Sequence, residues 1–177
     1  MPTIQDYYDA NLPTLLFSLH PEATDAIIAG NKVIEYRRRF FSEPFQAFIY
    51  TTGQTGGIQL YMRCDAGLQL SVSQLDQIGQ LLQPTTGSVT DYFAQTDHGI
   101  ALPITAFTTL PTIPLPQLRQ RFTNFVTPRG YVFLDRPERQ AQLQWLLQQY
   151  CSPLTELDWQ GRYAKLQPIL DGRTDYQ

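Results

Sequence analysis

Short segments rich in β-branched, aromatic and other apolar residues alternate with glycine and proline turns along most of this chain. Up to six of these segments have the length and composition of strands: 14–20, 32–39, 45–52, 58–64, 100–110 and 130–134. Helical spacing is found mainly between and after them, at 21–30, 73–83 and 135–150. Because many short strands bury their apolar faces best in a curved sheet, the sequence predicts an α+β fold. We expect a small, partly open β-barrel with flanking helices and a C-terminal helical extension.

The length of 177 residues predicts a single domain. Residues 1–13 contain two prolines and are expected to form an N-terminal arm. Residues 14–135 carry the strand-like segments and are expected to form the barrel. Residues 136–177 are expected to form the helical extension, packed on the same domain.

Charged residues are scarce in this chain. Asp, Glu, Lys and Arg make up 16% of it, against about a quarter of a typical soluble domain. The formal net charge is −3, and the two lysines are Lys32 and Lys165. This balance excludes a general nucleic-acid coat protein, whose domain is basic. It leaves room for a local basic site.

The sequence shows no feature of a secreted or membrane protein. No apolar run approaches the roughly 20 residues of a membrane span, and the acidic N-terminus is unlike a signal peptide. Cys64 and Cys151 are too few and too far apart for a disulfide framework. His20 and His98 have no ligand-type neighbours, so we interpret His20 as a helix-start residue and His98 as a loop residue. We therefore expect a cytoplasmic protein without metal, cofactor or membrane contact.

The most concentrated polar segment is KVIEYRRR, which begins at Lys32. In a strand, Glu35, Arg37 and Arg39 share one face, whereas Lys32 and Tyr36 share the other. Charges on an inward face need partners or a polar ligand, since an unpaired buried charge costs several kcal/mol. The alternative is an exposed strand end whose ion pairs contribute less than about 1 kcal/mol each.

The stretch SLHPEATDAIIAGNKVIEYRRR, a strand followed by Pro, a helix, Gly and Lys-x-x-Glu-Tyr-Arg, resembles the opening of the ASCH domain, which has a PUA-like fold. Weaker similarities follow in the same order as in that family. They are Ile49–Tyr50–Thr51–Thr52, Tyr92–Phe93, His98–Gly99–Ile100, IPLPQLR and PRGYVFL. The resemblance extends over about residues 14–135.

The resemblance implies a cleft beside the barrel that receives RNA, a nucleotide or a modified nucleoside, and our first hypothesis is that the protein binds this ligand without catalysis. The residues expected to bind this ligand are Lys32, Glu35, Tyr36, Arg37, Arg39, Tyr50 and Thr51. An arginine suits a phosphate or base edge, a glutamate accepts from an exocyclic amine, and a tyrosine stacks on a base. Strand alternation leaves open which face of 32–39 lines the cleft.

Some members of the family resemble amidohydrolases that cleave acylated cytidine with a Lys-x-x-Thr motif and a separate glutamate. In this chain Lys32 and Glu35 would have to act with water, because Glu35 stands at the threonine position. The segment between Glu43 and Glu138 contains no glutamate that would serve as the second group. Amidohydrolase activity is therefore an alternative to simple binding.

A third hypothesis is a protein-interaction or regulatory module that uses the C-terminal helix. Leu143, Leu146, Leu147 and Tyr150 fall on one face of the helix predicted at 135–150. This face is either part of the core or a surface for a homodimer or another protein partner, through residues 143–150. The sequence does not separate these possibilities.

Overall fold

The computed structural model describes residues 1–172, in which eight strands form one mixed sheet with five α-helices around it. The strands are β1 (Thr14–Leu19), β2 (Ile34–Arg37), β3 (Phe45–Thr51), β4 (Gly57–Cys64), β5 (Leu68–Ser71), β6 (His98–Pro114), β7 (Tyr131–Phe133) and β8 (Thr155–Glu156). The helices are α1 (Pro21–Ile28), α2 (Val72–Leu82), α3 (Leu115–Arg121), α4 (Gln140–Leu147) and α5 (Trp159–Leu170).

The sheet has the strand order β2-β6-β4-β3-β1-β7, and β5 and β8 also pair with β6. Strands β1 and β3 are parallel, and the other pairs are antiparallel. The long strand β6 pairs with β2 and β5 along its first part and with β4 along its second. The sheet therefore curls into a half-barrel, which confirms the predicted α+β fold.

Strand β6 is longer than the segment predicted at 100–110. It has 17 residues and includes Pro103, which pairs with Ile34 of β2. The register between β4 and β6 shifts next to this proline, between Arg63 and Cys64. A local irregularity of this kind lets a strand contain a residue without a backbone N–H donor.

Both faces of the central strands are buried under core clusters, and the side chains of one strand alternate between these clusters. In β1, Leu15 and Phe17 belong to the cluster inside the curled sheet, and Leu16 belongs to the cluster on the outer face. The outer cluster also contains Ile4 of the N-terminal segment. A third cluster joins β2 to α2 and α5.

The helix predicted at 135–150 is shorter in the structure, where a 3-10 turn at Pro137–Arg139 precedes α4. Three leucines of α4 lie in the outer core cluster: Leu143, Leu146 and Leu147. The face that the sequence left open is thus mainly core, and Tyr150 beyond it is 61% exposed. The division into arm, barrel and extension stays a prediction, and residues 173–177 of the extension lie outside the described residues.

No helix within residues 1–172 is long and apolar enough to cross a membrane.

Candidate functional site

A cleft of about 770 Å³ lies where the parallel strands β1 and β3 end. Its walls come from the end of β1, the start of α1, β2, the end of β3 and the segment 126–129. Four of the seven residues expected to bind a ligand line this cleft: Glu35, Tyr36, Arg37 and Tyr50. The other three lie outside its lining: Lys32, Arg39 and Thr51.

Strand β2 begins later than the sequence predicts, and this resolves the question of its faces. Gly30 has a φ of 82°, a value that favours glycine, and the backbone N–H groups of Asn31 and Lys32 both donate to the Ala26 carbonyl. Lys32 therefore belongs to a turn after α1, outside the strand. Strand alternation does not apply to it, and its side chain reaches the side of β2 that carries Glu35.

Lys32 and Glu35 form an ion pair beside the cleft, with 3.9 Å between Lys32 Nζ and Glu35 Oε1. Both side chains are about nine-tenths buried. The ammonium group also lies 5.4 Å from the centroid of the Tyr36 ring. Burial lowers the pKa of Lys32, the charge of Glu35 opposes this shift, and Arg37 adds to it. Lys32 thus serves as a buried partner for the carboxylate.

The two carboxylate oxygens of Glu35 have different surroundings. Oε1 accepts a hydrogen bond from the Tyr36 backbone N–H at 2.8 Å and faces Lys32. Oε2 is buried and has no hydrogen-bond partner. Glu35 lines the main cleft and also a smaller cavity of about 190 Å³ that contains Lys32. One strong acceptor is thus left unsatisfied in a residue that lines the cleft.

Arg37 is half-buried on the same face of β2 as Glu35. One guanidinium nitrogen donates to the Ser18 carbonyl at 2.8 Å. The guanidinium carbon lies 5.1 Å from the ring centroid of Phe17 and 5.5 Å from that of Phe40. These contacts fix the plane of the group, and a guanidinium has five N–H donors, so donors remain for a ligand.

Tyr36 points to the opposite side of β2, where it packs against α2. Its hydroxyl donates to the Leu75 carbonyl at 3.3 Å, and its ring makes an edge contact with Phe93. Burial raises its pKa, with Asp76 and Glu35 acting in the same direction. Tyr36 therefore contributes to the cleft wall mainly by holding β2 in place.

Tyr50 enters the cleft from the end of β3. It is 6% exposed, and its ring centroid lies 6.3 Å from that of Phe125. Burial raises the pKa of the Tyr50 phenol, and Arg119 opposes this shift. The next residue, Thr51, is buried and hydrogen-bonded to the Thr24 hydroxyl at 2.9 Å, so it joins β3 to α1.

Arg39 lies in a second groove of about 360 Å³, together with Arg38 and His98. Arg38 donates two hydrogen bonds to the Tyr92 carbonyl, and its guanidinium carbon lies 4.7 Å from the centroid of the Tyr92 ring. Tyr92 in turn lines the main cleft. Arg39 is therefore next to the cleft rather than inside it.

The structure also places residues in the cleft that the sequence did not identify. His20, interpreted as a helix-start residue, is exposed there, with its Nδ1 3.4 Å from the Thr52 hydroxyl. Arg129 is exposed and is the second arginine in the lining, after the half-buried Arg37. The segment that carries it is fixed to β1 by a hydrogen bond of 2.9 Å from the Ser18 hydroxyl to the Pro128 carbonyl. This contact spans 110 residues, so no local pattern would have revealed it.

Within residues 1–172, no group of three or more His, Cys, Asp and Glu side chains is arranged to hold a metal ion.

No protein-family model matches this chain. A curated relative, the ASCH domain-containing ribonuclease of Zymomonas mobilis, is 28% identical over 128 residues, which cover 71% of this chain and 86% of the relative. The crystal structure of ASCH from Zymomonas mobilis has a TM-score of 0.65 and 26% identity. The matched region covers 77% of this chain and 97% of the Zymomonas mobilis chain.

These similarities confirm the predicted resemblance to the ASCH family. A Tyr-to-Phe variant of the Zymomonas mobilis ASCH protein is also similar, with a TM-score of 0.62, 25% identity and coverage of 76% of this chain and 98% of the other. The curled half-barrel of this chain thus matches the fold of solved ASCH structures.

Proposed function

We propose that this protein binds single-stranded RNA, with one nucleotide held in the cleft between β2, the end of β3 and the segment 126–129. The observation that carries the proposal is the combination of charges and aromatic groups in one cleft. Two arginines, Arg37 and Arg129, lie there with the ring of Tyr50 and the carboxylate of Glu35. The name of the curated relative, a ribonuclease, supports RNA as the ligand class.

The physical properties of the cleft suit a nucleotide. Its volume lies within the range of about 300–1,000 Å³ that is usual for sites of small ligands. Arginine binds phosphate through two parallel N–H donors, and an aromatic ring stacks on any base. Because the net charge of the chain is −3, binding has to rely on this local cluster rather than on a general basic surface. A single strand leaves its base edges free to enter such a cleft.

Fluorescence anisotropy with a labelled 2′-O-methyl oligonucleotide tests binding, because this backbone resists cleavage through its 2′ oxygen. We expect Arg37→Gln to weaken affinity about tenfold or more, since it removes charged hydrogen bonds of about 1.5–3 kcal/mol. The matched control is Arg121→Gln, which changes an exposed arginine on Trp145 outside the cleft. Equal loss in both variants, or no binding by the wild type, would refute the proposal.

A second candidate function is cleavage of the bound RNA, which the ribonuclease name of the relative favours. The exposed His20 is the candidate proton-transfer residue, because histidine is the side chain most often used as a general acid or base and His20 lies in the same cleft as both arginines. The arginines would stabilise negative charge that develops on the phosphate. The amidohydrolase alternative has less support, because Lys32 lies outside the lining of this cleft.

Cleavage is tested with an unmodified labelled RNA and gel analysis of the products. We expect His20→Gln to abolish cleavage and retain binding, because it removes the proton-transfer group and keeps a polar side chain. His98→Gln is the matched control, since His98 lies in the second groove. Cleavage that persists in His20→Gln, or that is lost in both variants, contradicts a role of His20.

A further inference from the structure

The unsatisfied oxygen of Glu35 suggests which bases the cleft prefers. A buried acceptor without a donor is unfavourable, and a ligand that brings an N–H group to it is bound more tightly. Glu35 Oε2 is such an acceptor, in a side chain that is about nine-tenths buried and lines the cleft. The other oxygen is already held by the Tyr36 N–H and faces Lys32.

We propose that Glu35 selects RNA bases that carry an exocyclic amine, through a hydrogen bond from that amine to Oε2. This inference rests on the proposed RNA-binding function. Cytosine presents an amino group, whereas uracil presents a carbonyl oxygen at the same position. The one edge N–H of uracil stands between two carbonyl oxygens, which repel a carboxylate. Cytosine and uracil have nearly the same size, so they test the hydrogen-bond preference without a difference in shape.

Arg37 complements this preference from the same face of β2, two residues further along. The edge of cytosine carries acceptors next to its amine, and the free donors of a guanidinium fit them. The Ser18 carbonyl and the rings of Phe17 and Phe40 hold this guanidinium in place. The site therefore offers an acceptor beside a donor, which is the complement of an amino-bearing base edge.

Glu35→Gln tests the proposal because the surroundings of Oε1 fix the orientation of the new amide. The Tyr36 N–H and Lys32 are both donors, so the amide oxygen has to take the place of Oε1. The amide NH₂ then takes the place of Oε2 and presents donors to the cleft. The substitution thus converts the free acceptor into a donor, which suits the carbonyl of uracil.

The experiment compares 2′-O-methyl oligonucleotides made only of cytidine or only of uridine, in anisotropy titrations at one salt concentration. We expect the wild type to bind the cytidine oligomer about tenfold more tightly or better, as one charged hydrogen bond allows. Glu35→Gln is expected to lose or reverse this ratio. Glu43→Gln, an equal change of charge at an exposed position outside the cleft lining, is expected to keep it.

Glu35→Gln leaves Lys32 buried without its counter-charge, so urea unfolding must accompany the titrations. The double variant Lys32→Met/Glu35→Gln removes that charge and keeps the Tyr36 N–H that orients the amide. It is expected to show the same altered ratio. Equal wild-type affinity for both oligomers, or an unchanged ratio in the folded variants, would overturn the proposal and leave RNA binding intact. Failure to bind either oligomer would instead refute the proposed function.

Discussion

The contact between Gly79 of α2 and Tyr36 of β2 yields a prediction whose sign depends on a single oxygen atom. A methyl group at position 79 would lie 2.5 Å from the Tyr36 hydroxyl oxygen and 3.6 Å from the ring carbon that bears it. The first distance is a clash, and the second is an ordinary van der Waals contact. The effect of Gly79→Ala on stability should therefore change sign when the hydroxyl is removed.

The magnitude follows from two opposing effects. Alanine is favoured over glycine inside a helix by about 1 kcal/mol, whereas overpacking a filled site costs about 1–3 kcal/mol. We expect Gly79→Ala to lower the free energy of unfolding by up to about 2 kcal/mol in the wild type. In a Tyr36→Phe background the same substitution is expected to raise it by up to about 1 kcal/mol. The coupling energy is then about 1–3 kcal/mol.

Urea unfolding of the four proteins at neutral pH, followed by tryptophan fluorescence, measures this coupling. Tyr36→Phe alone is expected to cost about 1 kcal/mol, because its hydroxyl donates to the Leu75 carbonyl. RNA affinity provides a second measurement, since a displaced β2 moves Glu35 and Arg37. RNA affinity should fall in Gly79→Ala and recover in the Tyr36→Phe/Gly79→Ala variant. An equal effect of Gly79→Ala in both backgrounds would refute the reasoning.

Two further predictions concern buried ionisable groups. Lys32→Met should destabilise the fold by about 3–5 kcal/mol, because Glu35 loses its counter-charge. Adding Glu35→Leu to the same chain should restore much of this loss. Urea unfolding that shows equal stability of the single and double variants would contradict this prediction. Burial raises the pKa of Tyr61 from 10.0 to about 12, so the folded state holds the phenol proton more tightly than the unfolded state does. The stability that the neutral phenol contributes is therefore present in full below pH 10 and is lost between pH 10 and about 12. Tyr61→Phe should therefore make the alkaline decline in unfolding free energy shallower, whereas the exposed control Tyr150→Phe should not.

Local patterns in the sequence were sufficient for much of the fold. The apolar run of β1 and the proline at the start of α1 predicted the bounds of those elements to within two residues. The helix predicted at 73–83 is displaced by one residue from the observed α2, because Ser71 is the residue that caps it. The length of β6 was underestimated, since an internal proline is tolerated where the register shifts.

The candidate site was less predictable, because it depends on contacts between distant segments. The sequence indicated Glu35 and Arg37, whose shared face follows from the strand period. The strand pattern wrongly placed Lys32 on the face opposite Glu35, because the backbone turn after α1 delays the start of β2. Arg129 reaches the cleft only through the packing of 126–129 against β1, which strand and helix periods do not encode.

Photochemical crosslinking tests most directly the claim that RNA binds in this cleft. An oligonucleotide with 5-iodocytidine keeps the exocyclic amine and reacts on irradiation with aromatic side chains that contact the base. Mass spectrometry of the crosslinked peptides should identify Tyr50, Tyr92 or His20, which line the cleft. Crosslinks that instead fall on Trp145 or Tyr150, outside the cleft lining, would contradict the account.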